Sequence, residues 1–197
     1  MSDRTRALVP ARVTDERRRE LAERLGSVHV SRIHEMPRIE LYLDQLLTLV
    51  AQELEFMRLP DETLVTGSMV NNYVKQGVIP APHRKRYTRR HVASLLFVCA
   101  LKRVFSIAQV RQLAALIWTS ELDLEALYDR SCEALERSLA ARFSPGAPAE
   151  PAALELVDTS GRAADPELAW LLQAAIDALA ARVVVEQTLL LGEGEAR

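Results

Sequence analysis

Apolar residues between positions 38 and 57 recur every three or four places: Ile39, Tyr42, Leu43, Leu46, Leu47, Val50, Leu54 and Met57. That spacing predicts an amphipathic helix over 38–57, stopped by Pro60. Before it, Thr14 is placed to cap a helix over 15–25 that ends at Gly26, and Val28, Val30 and Ile33 suggest an extended run closed by Pro37. After it, a helix of about ten residues is framed by Thr66 as N-cap and Gly77 as the left-handed terminator. Met69, Val70, Tyr73 and Val74 share one side of that helix, and Ser68, Asn71, Asn72 and Lys75 form a polar stripe on the other.

Val78-Ile79-Pro80-Ala81-Pro82 forces an extended exit, because proline fixes φ and disfavours helix in the residue before it. His83-Arg84-Lys85-Arg86-Tyr87 then reads as a basic turn, and Thr88 as the cap of a nearly all-apolar, central helix ending at Lys102-Arg103. Capping-box spacings at Ser106/Gln109 and Ser120/Asp123 start two more helices, over 107–118 and 121–143. Prolines 145, 148, 151 and 166 with two glycines mark 144–166 as a linker. A final amphipathic helix from 167 carries Leu172, Ile176, Leu179, Val183 and Leu190 in its apolar stripe. Such a stripe packs on its own domain or on a second copy, making these five residues candidates for homodimerisation. A chain cut after Phe143 would then fold as a monomer.

The expected fold class is therefore all-α. It comprises a flexible basic arm (1–13), N-terminal helices (14–57), a central helical unit (58–143), a linker (144–166) and a C-terminal helix (167–197). The low aromatic content, 5%, makes the core aliphatic. No stretch free of charge reaches membrane-spanning length, and the first residues lack an apolar leader core, so a cytoplasmic protein away from membranes is expected. Cys99 and Cys132 suit neither a disulfide scaffold nor a zinc site, and read as reduced. No phosphate loop, nucleophile motif or metal-ligand spacing occurs, so neither catalysis, nor a metal, nor a cofactor is expected.

Charge changes the picture. The 25 basic and 27 acidic residues leave a net charge of only -2, but they are segregated. Residues 63–120 hold nine bases and no acid; residues 121–197 hold six bases and fifteen acids. An acid-free block focuses positive potential, as a polyanion-binding surface requires. The alternative is a solvated face whose acids lie nearby in space. Two arginines, Arg89 and Arg90, open a helix whose dipole they oppose, a cost of a few tenths to about 1 kcal/mol each that a bound phosphate reverses.

The order of a capped short helix, a Gly-apolar-apolar-Pro exit, a basic turn ending in Arg86-Tyr87-Thr88, a helix ending in Leu101-Lys102 and a Phe105-Ser106-Ile107 start resembles the MerR-like winged helix-turn-helix over residues 64–115. The more local sequence Met69-Val-Asn-Asn-Tyr-Val-Lys-Gln-Gly-Val-Ile-Pro80, with Lys85-Arg-Tyr-Thr88 and Leu101-Lys102, is similar to the bacterial family called domain of unknown function 1836. The resemblance implies a short recognition helix in the major groove of double-stranded DNA, beside a basic wing with a short β element, in a transcription regulator. On that reading Ser68, Asn71 and Asn72 contact bases, asparagine being able to pair with adenine bidentately. Thr66, Lys75, Arg84, Lys85, Arg86, Arg89 and Arg90 contact phosphates. The sequence departs from the pattern where Asn71-Asn72-Tyr73 replaces Arg-Tyr-Tyr, in its shorter wing, and in arginines where acids are usual at 89 and 90. The rival reading is a helical interaction module whose basic block binds an acidic protein.

Overall fold

A computed structural model describes residues 14–143 and 154–193. Seven α-helices and one 3-10 turn occupy them: α1 (Asp15–Gly26), α2 (Leu43–Glu53), the 3-10 turn Glu55–Met57, α3 (Gly67–Lys75), α4 (Arg89–Leu101), α5 (Ile107–Trp118), α6 (Leu124–Ala141) and α7 (Pro166–Glu193). The described chain is thus mostly helical, and its only β pairing consists of isolated antiparallel bridges. The basic arm, part of the linker (144–153) and the last four residues lie outside the described residues.

Local chemistry explains most helix limits. Thr14 accepts the Arg17 N–H, Thr66 the Met69 N–H, and Ser106 the Gln109 N–H, each satisfying an otherwise orphaned donor at a helix start. α4 is central, with nine buried residues distributed around its circumference. It packs with α2 and α7, and α1 and α7 both pack on α6. One continuous aliphatic core results, built around side chains such as Leu25, Leu46, Val70, Leu95, Leu139 and Leu172.

Three expectations are corrected. The helix over 38–57 begins only at Leu43, because Leu41 pairs its backbone with Tyr87 and Tyr42 donates its N–H to Gln45 Oε1 at 2.9 Å, starting the helix there. Ile39, which fits the helical period, is instead 70% exposed. The helix predicted from 121 starts at Leu124, since Asp123 caps it by accepting from the Glu125 and Ala126 N–H groups, and Ser120 donates back to the Ile117 carbonyl. Residues 154–165 are not linker: Leu154 and Leu156 are buried, Asp158 bridges to Leu122, and Val157 bridges to Ala163.

The largest correction concerns α7. Leu172, Ile176, Leu179 and Val183, assigned above to dimerisation, are buried in the chain's own core, and Leu190 is half-buried. The polar residues that interrupt the stripe are used in cis as well. Asp177 accepts from Ser138 Oγ at 2.5 Å and from Gln173 at 3.2 Å. Gln187, 3% exposed, accepts from Arg24 at 2.7 Å and donates to the Arg58 carbonyl at 3.1 Å. By length and composition α7 could cross a membrane; in this structure it packs on α1, α4 and α6.

Candidate nucleic-acid interface

The polar face predicted for α3 forms as its spacing requires. Val70 and Tyr73 are buried, Met69 and Val74 are half-buried against the core, and Ser68, Asn71, Asn72 and Lys75 are exposed. None of these four exposed side chains makes a hydrogen bond or ion pair among the described residues. Thr66 is half-buried with its hydroxyl engaged as the cap, so its role here is to start the helix. α3 lies close on α2: a Cβ on Gly67 would stand 3.3 Å from Leu43 Cδ2, tighter than ordinary contact. α2 therefore supplies the helix that packs behind α3, across a thirteen-residue connection containing the 3-10 turn.

Gly77, at φ +67, reverses the chain after α3, and the Tyr73 carbonyl accepts from both Val78 and Ile79. Residues 83–86 then form a minimal hairpin in which the Arg86 N–H donates to the His83 carbonyl at 2.9 Å. Its two central residues, Arg84 at φ 48 and Lys85 at φ 60, are both left-handed. Hairpin turns of this hand normally use Asn and Gly, because a Cβ in that region costs about 1–2 kcal/mol per residue. Both side chains are exposed at the tip.

The hairpin is anchored at its base. Leu41 and Tyr87 exchange backbone hydrogen bonds at 2.8 and 2.9 Å. The Arg86 guanidinium lies 3.6 Å from the Tyr42 ring centroid and donates to the Tyr42 hydroxyl at 2.5 Å. His91 Nδ1 accepts the Thr88 N–H at 3.0 Å, leaving Nε2 to donate to the Ala81 carbonyl at 3.3 Å and so tie α4 to the segment entering the hairpin. The ring also sits edge-on to Tyr87, 5.6 Å between centroids.

The remaining predicted phosphate contacts divide. Arg86 is half-buried and held by Tyr42, a partner that the helix predicted through position 42 concealed. Arg89 is half-buried, its Nε donating to the Pro37 carbonyl at 3.3 Å. Arg90 is exposed but lies over the Trp118 ring, 4.7 Å from its centroid. Arg103, one of the nine bases of the acid-free block, is withdrawn altogether. It bonds Glu62 at 2.8 Å and Glu186 at 2.6 Å with its own side chain 6% exposed, so its acids do lie nearby in space.

The cysteines and His29 lie away from α3 and the hairpin in sequence, and each is buried or has a local partner. Cys99 and Cys132 are buried, which pushes each thiol up to about 12. His29 bonds Glu35 at 2.9 Å, and no group of three metal-ligating side chains occurs among the described residues.

The described chain thus defines an all-helical protein with a small capped helix and a basic left-handed hairpin on its surface. Residues 31–131 match the family described as "Domain of unknown function (DUF1836)", a little over half of the sequence, and the chain belongs to that family. The matched region runs from the turn before α2 into α6, leaving α1, most of α6 and all of α7 outside it. No curated protein and no solved structure matches the chain.

Proposed function

We propose that this protein binds double-stranded DNA in a sequence-specific manner, as a bacterial transcription regulator, using α3 as a recognition helix and the 83–86 hairpin as a short wing of MerR type. The observation that carries the reading is the pair of unoccupied surfaces within one acid-free segment. One is an amide-bearing helix face, Ser68, Asn71 and Asn72; the other is a hairpin tip bearing Arg84 and Lys85. Amides distinguish bases by bidentate hydrogen bonding, and cations fix register on the phosphates without reading sequence. Of the phosphate contacts expected from the sequence, Lys75, Arg84, Lys85 and Arg90 are exposed.

The strain at Arg84 and Lys85 supports the same reading. Two long cations held in a conformation better suited to glycine mark a tip whose side chains matter more than its stability. The hydrogen-bonded base formed by Leu41, Tyr87 and His91 gives that tip a fixed direction. No group in this arrangement is placed for catalysis, so the proposed activity is binding.

The test is a double substitution, Asn71→Ala with Asn72→Ala, assayed on a panel of duplexes. Sequence preference is expected to relax while general affinity changes little. An unaltered preference removes α3 from the reading head.

A further inference from the structure

Beside the N-terminus of α4 lies a solvent-open cavity of about 630 Å³, lined by α4, α5, the first half of α6 and the turn at Thr159. That volume is within the range of small-molecule sites, roughly 300–1,000 Å³. Its walls are mainly apolar, with Phe97, Ile117, Trp118, Leu127 and Tyr128 among them. Its charge distinguishes it from an ordinary packing gap. Both Arg89 and Arg90 line it, and no acid is paired with either among the described residues.

The acids on the opposite wall do not neutralise this end. Asp123 is engaged as the cap of α6, Glu125 is exposed, and neither forms an ion pair with Arg89 or Arg90 among the described residues. Arg90 is also spread over the Trp118 ring, so one wall presents a cation and an aromatic face together. The polar groups elsewhere are turned to local partners: Ser94 and Ser131 donate to carbonyls of their own helices, and Tyr128 to the Ser31 carbonyl.

We infer that this cavity binds a small organic carboxylate with an apolar body, its carboxylate at Arg89 and Arg90 and its hydrocarbon against Phe97, Trp118 and Tyr128. Arg–carboxylate pairing is the planar, two-point recognition that guanidinium provides best. The inference does not depend on DNA binding: the cavity lies between α4, α5 and α6, and of the exposed residues proposed for DNA contact only Arg90 lines it.

The experiment is calorimetric titration of the full chain with 2-naphthoate and with its neutral isostere 2-naphthamide. Naphthoate is expected to bind at least about tenfold more tightly, the least that one charge-assisted pair would provide. Arg89→Met should erase the preference, Arg90→Met should reduce it, and Arg137→Met on the exposed side of α6 should leave it intact. Ala93→Phe, which fills the cavity, should abolish binding of both compounds. Circular dichroism on each variant separates loss of site from loss of fold, and Arg90→Met, altering an exposed residue, keeps the test open if Arg89→Met fails to fold. Equal affinity for the two compounds, no binding of either at millimolar concentration, or a preference that survives Arg89→Met overturns the inference.

Discussion

Leu41 and Tyr87, forty-six positions apart, exchange both of their backbone hydrogen bonds and so join the entry of α2 to the base of the basic hairpin. This pairing is why α2 starts late, and it gives the hairpin a support that a four-residue turn lacks alone. Arg86 stacked on Tyr42 extends the same contact by one residue.

The hairpin tip should trade stability against binding. Lys85→Gly relieves a left-handed Cβ at φ 60 and is expected to stabilise the fold by roughly 0.5–1 kcal/mol. It also removes one phosphate contact, so the salt dependence of DNA affinity should fall by about one unit of slope. Denaturant unfolding and salt-titrated binding measure the two halves separately.

The Glu62–Arg103–Glu186 cluster should be costly to break. Arg103→Ala takes away the cation that Glu62 and Glu186 share and leaves Glu186 with Arg182 alone, and a loss of about 2–3 kcal/mol is expected. A loss below about 1 kcal/mol in urea unfolding would mean that water replaces the guanidinium freely.

Acid sensitivity should be traceable to Glu136. Burial raises its pKa, but the hydrogen bonds from Arg32 at 2.6 and 2.8 Å and from the Val30 N–H at 2.8 Å outweigh that, and the carboxyl lies below its ordinary value. A carboxylate depressed on folding contributes stability above its unfolded pKa and loses it as pH falls through the folded one. Unfolding free energy should therefore decline below about pH 4.5, and Glu136→Gln should be less stable near neutrality but flatter over that acid range. Parallel pH curves for the two proteins would assign the acid limb elsewhere.

α7 should be indispensable to the fold. Removing residues 166–197 exposes the partners of Leu172, Leu179, Ala180 and Val183, each 2% exposed or less. Burial of a large aliphatic side chain contributes about 1.5–3 kcal/mol, so several lost together exceed the stability of a typical domain. The truncated chain is expected to lose its cooperative thermal transition, contrary to the folded monomer that a detached helix would leave behind.

Short-range signals were the most legible in the sequence. Thr14, Thr66 and Ser106 announce their helices because capping depends on residues three positions apart, and Gly77 announces the end of α3 because its φ is local. The two faces of α3 follow from the helical period alone. Long-range pairing was not legible. Nothing near Leu41 signals Tyr87, and the period that joins Ile39 to Leu43 and Leu46 continues across a break made by a distant backbone. The Tyr42-to-Gln45 spacing was the available clue to that break. For α7 the apolar stripe correctly marked a buried face, but only the fold decides between a second copy and the chain's own α6. Arg103 was equally opaque, its acids standing 41 and 83 positions away.

The central claim, that α3 and the hairpin form a DNA-reading surface, is tested most directly by fluorescence anisotropy of the full chain with duplex fragments from its own genomic neighbourhood at about 50 and 200 mM salt. Four phosphate contacts predict selective binding that weakens by roughly a hundredfold between the two conditions. Absence of binding at the lower salt, or equal affinity for every fragment, would contradict it.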